Sequence, residues 1–184
     1  MNAATIFFPV LLLLSAAPDT AVKTIRADKK TSTITYHMSH PLHSFKATSR
    51  NVDAVIEYDE GAGAVRKVAV LAKVSSFDSD NSNRDSHMLE ATEALKYPNV
   101  TFSSTSVSEA NHRLTVQGVL NFHGVGKNIS FDASEQDVKG HRIVTGGFTV
   151  LLTDHKIDRP SLLMMPVDNE MKVDFKMDFP LQAK

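Results

Sequence analysis

The chain contains no cysteine in its 184 residues. That absence excludes disulfide frameworks, thiolate zinc sites, iron–sulfur ligation and cysteine nucleophiles together. An excess of either charge is missing too. The 20 Lys plus Arg stand against 21 Asp plus Glu, a formal net charge of −1. This argues against nucleic acid as a partner, because its binders carry a basic domain or stripe. It also excludes a polyionic tail. No apolar run reaches the roughly 20 residues of a membrane-crossing helix. The G-x-S-x-G elbow, the Walker loop and the dinucleotide-binding glycine pattern are absent as well, and neither an internal repeat nor a low-complexity tract is present.

What remains is an ordinary globular composition, 42% hydrophobic and 22% charged. The length suits one domain, which can bury about two-thirds of its unfolded surface without staples. The amino terminus stands apart. Ile6 to Leu14 is an apolar run followed by Ser15-Ala16-Ala17. At 1.5 Å per residue it spans roughly 14 Å, too short for a bilayer but suited to a secretory leader with a small-residue cleavage site. We therefore expect a signal peptide over residues 1–21 and a mature domain over 22–184. The mature domain is expected to be periplasmic or secreted and not to span the membrane.

From Lys23 to Leu181 apolar residues recur with period two. Met171, Val173, Phe175, Met177 and Phe179 alternate with four charges, the pattern of a strand with one buried and one wet face. Ile34/Tyr36/Met38, Val52/Ala54/Ile56/Tyr58, Val68/Val70, Leu114/Val116/Leu120/Phe122 and Ile129/Phe131/Ala133 repeat it. Ile143 to Leu152 is apolar on both parities. Turn signals at Gly61–Gly63, Glu109–Asn111, Gly124–Gly126 and Lys139-Gly140 divide the runs. The expectation is an all-β fold with one short helix, an antiparallel eight-stranded barrel whose closure removes exposed edges.

The helix is expected over Ser82–Lys96, where Met88, Ala91, Thr92 and Leu95 share a face, Ser82 and Asp85 resemble a capping box, and Tyr97-Pro98 ends it. A second interruption, Asp158 to Pro166, holds four consecutive apolar residues between two prolines. These either fill the core or line a pocket mouth.

Eight histidines raise the question of a metal. A straight strand sends His37 and His43 to one face and His40 to the other, so no metal site is expected there. The acidic stretch Asp78–Asn83 lacks the glycine and terminal glutamate of a calcium loop; turns and caps suit it better. No cofactor is expected.

Two segments then carry a resemblance. Asn83-Arg84-Asp85-Ser86-His87-Met88-Leu89, continuing to Lys96-Tyr97-Pro98-Asn99-Val100-Thr101-Phe102, is similar to the hallmark segment of the YceI-like family. So is Leu114 to Lys127, which resembles that family's G-x-L-x-x-x-G-V-x-K hairpin. The resemblance implies an exported, lipocalin-like antiparallel barrel that binds a polyisoprenoid chain inside. It makes an apolar, isoprenoid-like lipid the expected partner and a non-enzymatic carrier the expected function. The inward-parity candidates are Tyr36, Met38, Phe45, Phe102, Val116, Leu120, Phe122, Phe175 and Met177, with Leu162 and Met164 at the mouth. Two alternatives stay open: a structural or interaction barrel with a filled core, and a small exported hydrolase using His87, His123 or Asp85. Oligomeric state, including a dimer, is open as well.

Overall fold

The computed structural model describes residues 22–181, and of Leu162 only the backbone. The expected leader lies outside the described residues. In chain order the strands are β1 (Val22–Arg26), β2 (Thr33–His40), β3 (His43–Ser49), β4 (Val52–Asp59), β5 (Ala64–Lys73) and β6 (Phe77–Asp78). Helix α1 (Ser82–Ala91) follows, then β7 (Asn99–Ala110), β8 (Arg113–Phe122), β9 (Val125–Val138) and β10 (His141–Leu151). A 3-10 turn (Leu152–His155) leads to a small hairpin, β11 (Ser161–Leu162) with β12 (Met165–Pro166), and β13 (Glu170–Pro180) ends the fold.

Eleven strands form one antiparallel sheet in the order β1-β4-β5-β7-β8-β9-β10-β13-β2-β3-β6. The sheet curls until its margins meet. Just past β1, the Asp28 amide donates to the Asp178 carbonyl of β13 at 2.8 Å. On the other margin β6, which continues β5, pairs Phe77 with Ser49 of β3. The result is the curled, lipocalin-like antiparallel architecture, with eleven strands in the sheet where eight were expected.

The difference has a physical reason. β7 reads Asn-Val-Thr-Phe-Ser-Ser-Thr-Ser-Val-Ser-Glu-Ala, mostly polar, and its register on β8 shifts between Ser104 and Ser106. That bulge reverses the parity of everything after it, so Phe102 and Val107 lie five positions apart and both pair with inward residues, Leu120 and Val116. No period-two reading survives such an insertion. β1 and β6 are simply too short to show a period. In β10 the ambiguity resolves with Arg142, Val144 and Val150 buried, and Ile143 on the wetter face.

Helix α1 ends at Ala91, five residues before Lys96. Its cap is Asn81, whose side chain accepts the Arg84 amide at 3.0 Å. Asp85 instead accepts from the Ser79 hydroxyl at 2.6 Å. Thr92 closes the helix and Glu93 then turns left-handed with φ 44°. Leu95, expected on the helical face, therefore stands fully exposed beyond it.

Candidate functional site

The inward faces of these strands do not fill the barrel. They enclose a cavity of about 220 Å³. Its wall is apolar except for the Tyr36 hydroxyl, Thr92 and Thr101. Eight residues singled out from strand parity line it: Tyr36 and Met38 of β2, Phe102 of β7, Val116, Leu120 and Phe122 of β8, and Phe175 and Met177 of β13. Two others are placed elsewhere, and a third is not described. Phe45 lies on the flank under the Arg84 guanidinium, 4.8 Å from its ring centre. Met164 is 96% exposed at a hairpin tip. The side chain of Leu162 is outside the described structure.

Parity reasoning passed over Phe131, the hub of the barrel's waist. Its ring lies 5.5 Å from Phe102, 5.3 Å from Phe148 and 5.6 Å from Phe175. The signal was present in Ile129/Phe131/Ala133, all of one parity. Met88, Ala91 and Thr92 of the α1 region also reach the cavity, as do Ile157, Pro160 and Val167. No strand period marks these loop residues. Gly118 lies on the cavity face, yet the place of its missing side chain is not empty. A Cβ there would meet the Ser103 carbonyl at 2.4 Å and the Phe102 ring at 2.6 Å. The glycine lets the bulged β7 and the Phe102 ring press close.

One barrel end is shut by ions. Arg142, 6% exposed, makes a two-pronged contact with Asp137 at 2.9 and 3.0 Å and donates to the Gly63 carbonyl at 3.0 Å. It also approaches Glu135 at 3.3 Å and Glu109 at 3.9 Å, and its guanidinium lies over Tyr58. Glu135 is buried, and one of its oxygens lacks a hydrogen-bond partner. Burial and the neighbouring Glu109 carboxylate outweigh the pull of Arg142 and push its carboxyl up to about 7.

The other end is covered differently. α1 crosses it with no fully buried residue, its Met88 packing half-buried against the core. Behind the helix, Glu93 accepts from the His123 ring at 2.9 Å, and the other His123 nitrogen meets the His155 carbonyl at 2.9 Å. Tyr97 stacks edge-on against His123 and fills the place a side chain on Gly124 would take. His155 donates from Nδ1 to the carbonyls of Phe122 and Val125, and burial lowers its pKa. Burial also pushes the Tyr36 phenol up to about 12, so it lines the cavity as a neutral group.

His37 contacts Asp174 and His40 the Met165 carbonyl. The two run in different directions, and among the described residues no cluster of three or more His, Asp or Glu side chains could hold a metal. The same residues contain no helix long and apolar enough to cross a membrane.

Comparison with known proteins places this architecture. The family profile described as the YceI-like domain matches residues 26–179. Protein YceI of Escherichia coli O157:H7 is 34% identical over 88 residues, which is 47% of this chain and 46% of that protein. The chain thus spans about half the length of the curated relatives it matches there. Among solved structures, Burkholderia cenocepacia BcnA superposes with a TM-score of 0.74 at 15% identity, covering 83% of this chain and 98% of that one. A polyisoprenoid-binding domain from Saccharophagus degradans, implicated in plant cell wall breakdown, gives 0.71 at 14% identity, covering 85% and 97%.

Proposed function

The chain belongs to the YceI-like domain family, and from that premise we propose that it is an exported, non-catalytic carrier of a long apolar chain of isoprenoid type. The observation that carries this reading is the cavity: about 220 Å³ of space walled by inward strand residues, where a filled core would leave none. The polyisoprenoid-binding domain that shares the fold supports the choice of ligand class. A structural barrel with a packed interior is disfavoured by the same space.

Size sharpens the proposal. A dry cavity of about 150 Å³ takes benzene, so in proportion 220 Å³ holds about nine carbon atoms, close to two isoprene units. At about 0.8 kcal/mol per buried CH₂ these contribute roughly 7 kcal/mol before the cost of association. A longer chain needs more room, and α1 is the element that yields, since none of its residues is fully buried. The hydrolase alternative loses two of its three groups to structure. His123 is held between Glu93 and a carbonyl, and Asp85 is held by Ser79.

Lipid extraction and mass spectrometry of the protein purified from its native host, with uptake of a fluorescent farnesyl probe by the delipidated protein, test the proposal. A co-purifying isoprenoid and saturable one-to-one uptake are the expected results. No extracted lipid together with no uptake would leave a solid barrel.

A further inference from the structure

The strand faces that bound the cavity are not evenly buried. Phe131 of β9, Phe148 of β10 and Phe175 of β13 line the cavity, yet each is only partly buried. On the same three strands and the same inward face, the side chains next toward the floor are Ala133, Val144 and Met177, and these are buried. The open surface inside the barrel is therefore concentrated on the rings. The residues beneath them close its bottom.

Two bare backbone positions shape this level of the barrel. A Cβ on Gly118 would stand 2.6 Å from the Phe102 ring, and one on Gly146 would stand 2.8 Å from the Phe175 ring. Each of these rings thus lies against the backbone of the neighbouring strand. Phe131 has no such recess, because its register partner on β8 is Val116. Its ring instead bridges the other two, 5.5 Å from Phe102 and 5.6 Å from Phe175, and stacks on Phe148 at 5.3 Å. Aromatic rings at these separations are in contact. Four strands therefore send touching rings into one level of the bore.

We infer that the Phe131 ring is the stop on which the end of the apolar chain rests, and that it sets the chain length the cavity prefers. This rests on the reading of the cavity as a carrier site, and it names the residue that measures the ligand. The stop is firm, because moving the ring parts its contacts with three others at once and a packed interior offers it no empty place beneath. It also suits an isoprenoid end, a pair of methyl groups that meets ring faces without desolvating any polar group. Deleting the ring removes six carbons, and an isoprene unit has five. Phe131→Ala therefore opens room for about one further unit.

The test measures chain-length preference. Geraniol, farnesol and geranylgeraniol, with two, three and four isoprene units, are made to displace a fluorescent farnesyl probe from the full protein after delipidation. Wild-type affinity should level off after geraniol. In Phe131→Ala the plateau should move to farnesol, whose advantage over geraniol should grow by about tenfold or more, as burial of two further CH₂ groups requires. Phe131→Leu removes less of the packing and should move the same ratio by about threefold, which keeps the test open if the alanine variant does not fold. Phe179→Leu trims a ring beneath the stop and should leave the ratio unchanged. Three results would overturn the inference: wild-type affinity that climbs steadily to geranylgeraniol, a ratio unmoved in the Phe131 variants, or an equal shift in Phe179→Leu. Failure of every protein to bind the probe is a different result, which sinks the carrier reading and this inference with it.

Discussion

At one end of the barrel a buried guanidinium gathers carboxylates from β7 and β9; at the other, a helix with no fully buried residue lies against the cavity. The floor is built from groups that cannot be left unpaired. Removing Arg142 would strand the buried Glu135, so this end tolerates little movement. The roof is held by a few hydrogen bonds, Asn81 to the Arg84 amide and Glu93 to His123 among them. Few buried contacts make a segment open at low free energy. The carrier function proposed above calls for this asymmetry: a rigid closed end and a yielding open one.

The largest effect is expected where the floor is broken. Arg142→Ala leaves Glu135 buried without its cation and removes the bond to the Gly63 carbonyl. It should cost about 3–5 kcal/mol, the usual penalty for halving a buried ionic group. A urea unfolding midpoint checks it. A loss below about 1 kcal/mol would mean that the floor is open to water and that the contrast between the ends fails.

The two ends should also answer pH in opposite directions. Glu135 titrates near 7 in the fold, well above its ordinary 4.5. The folded state therefore binds more protons than the unfolded chain between these values, and this contribution to stability is lost as pH rises through 7. His155 is the reverse. Its folded pKa lies below the ordinary 6.5, so its contribution is complete above 6.5 and declines as pH falls toward the folded value. Glu135→Gln should flatten the alkaline decline, and His155→Asn, which keeps a donor near Nδ1, should flatten the acid decline. Denaturation midpoints from pH 5 to 8 for the two variants separate these contributions. Identical profiles would remove the assignment.

Filling the space between floor and roof is the next smaller perturbation. Leu120 of β8 is buried, pairs with Phe102 of β7, and lines the cavity. Leu120→Trp extends into the cavity, so it should change stability by less than about 1 kcal/mol while reducing farnesyl probe uptake about tenfold or more. In a packed interior the same change would cost about 1–3 kcal/mol. The unfolding midpoint and probe titration together decide between the two.

The wall was far more legible in the sequence than either end, and the reason is periodicity. Wall residues repeat every second position on strands with one wet face, which is why the sequence alone assigns Tyr36, Val116, Leu120 and Phe175 to the interior. The bulge in β7 shows where that logic stops, because one inserted residue inverts the parity of Val107 without altering composition. Arg142 was hidden for a related reason. It sits in register with Val144 and Val150, and an inward charge reads as an outward one until Asp137 and Glu135 are seen beside it. Roof residues have no period at all. Ile157, Pro160 and Val167 reach the cavity from irregular chain, and Leu163-Met164 contradicts the turn preference that would have marked a hairpin. The helix was visible, but its end was displaced because Leu95 continued the apolar spacing past the point where Thr92 and Glu93 close it.

The smallest global effect is expected at the helix cap, and it separates motion from stability. Asn81→Ala removes the bond to the Arg84 amide, worth about 1 kcal/mol to a helix. Because no residue of α1 is fully buried, its fraying need not unfold the barrel, and the global urea midpoint should move by less than about 0.5 kcal/mol. Amide exchange in residues 82–91 should nevertheless accelerate about fivefold, the factor corresponding to ~1 kcal/mol of local opening. If the roof yields to admit a chain, association of the farnesyl probe should quicken by a similar factor while exchange around Arg142 stays unchanged. Acceleration at both ends would mean that α1 is coupled to the whole barrel. Faster exchange in α1 with an unchanged rate of probe entry would place the entrance away from the helix.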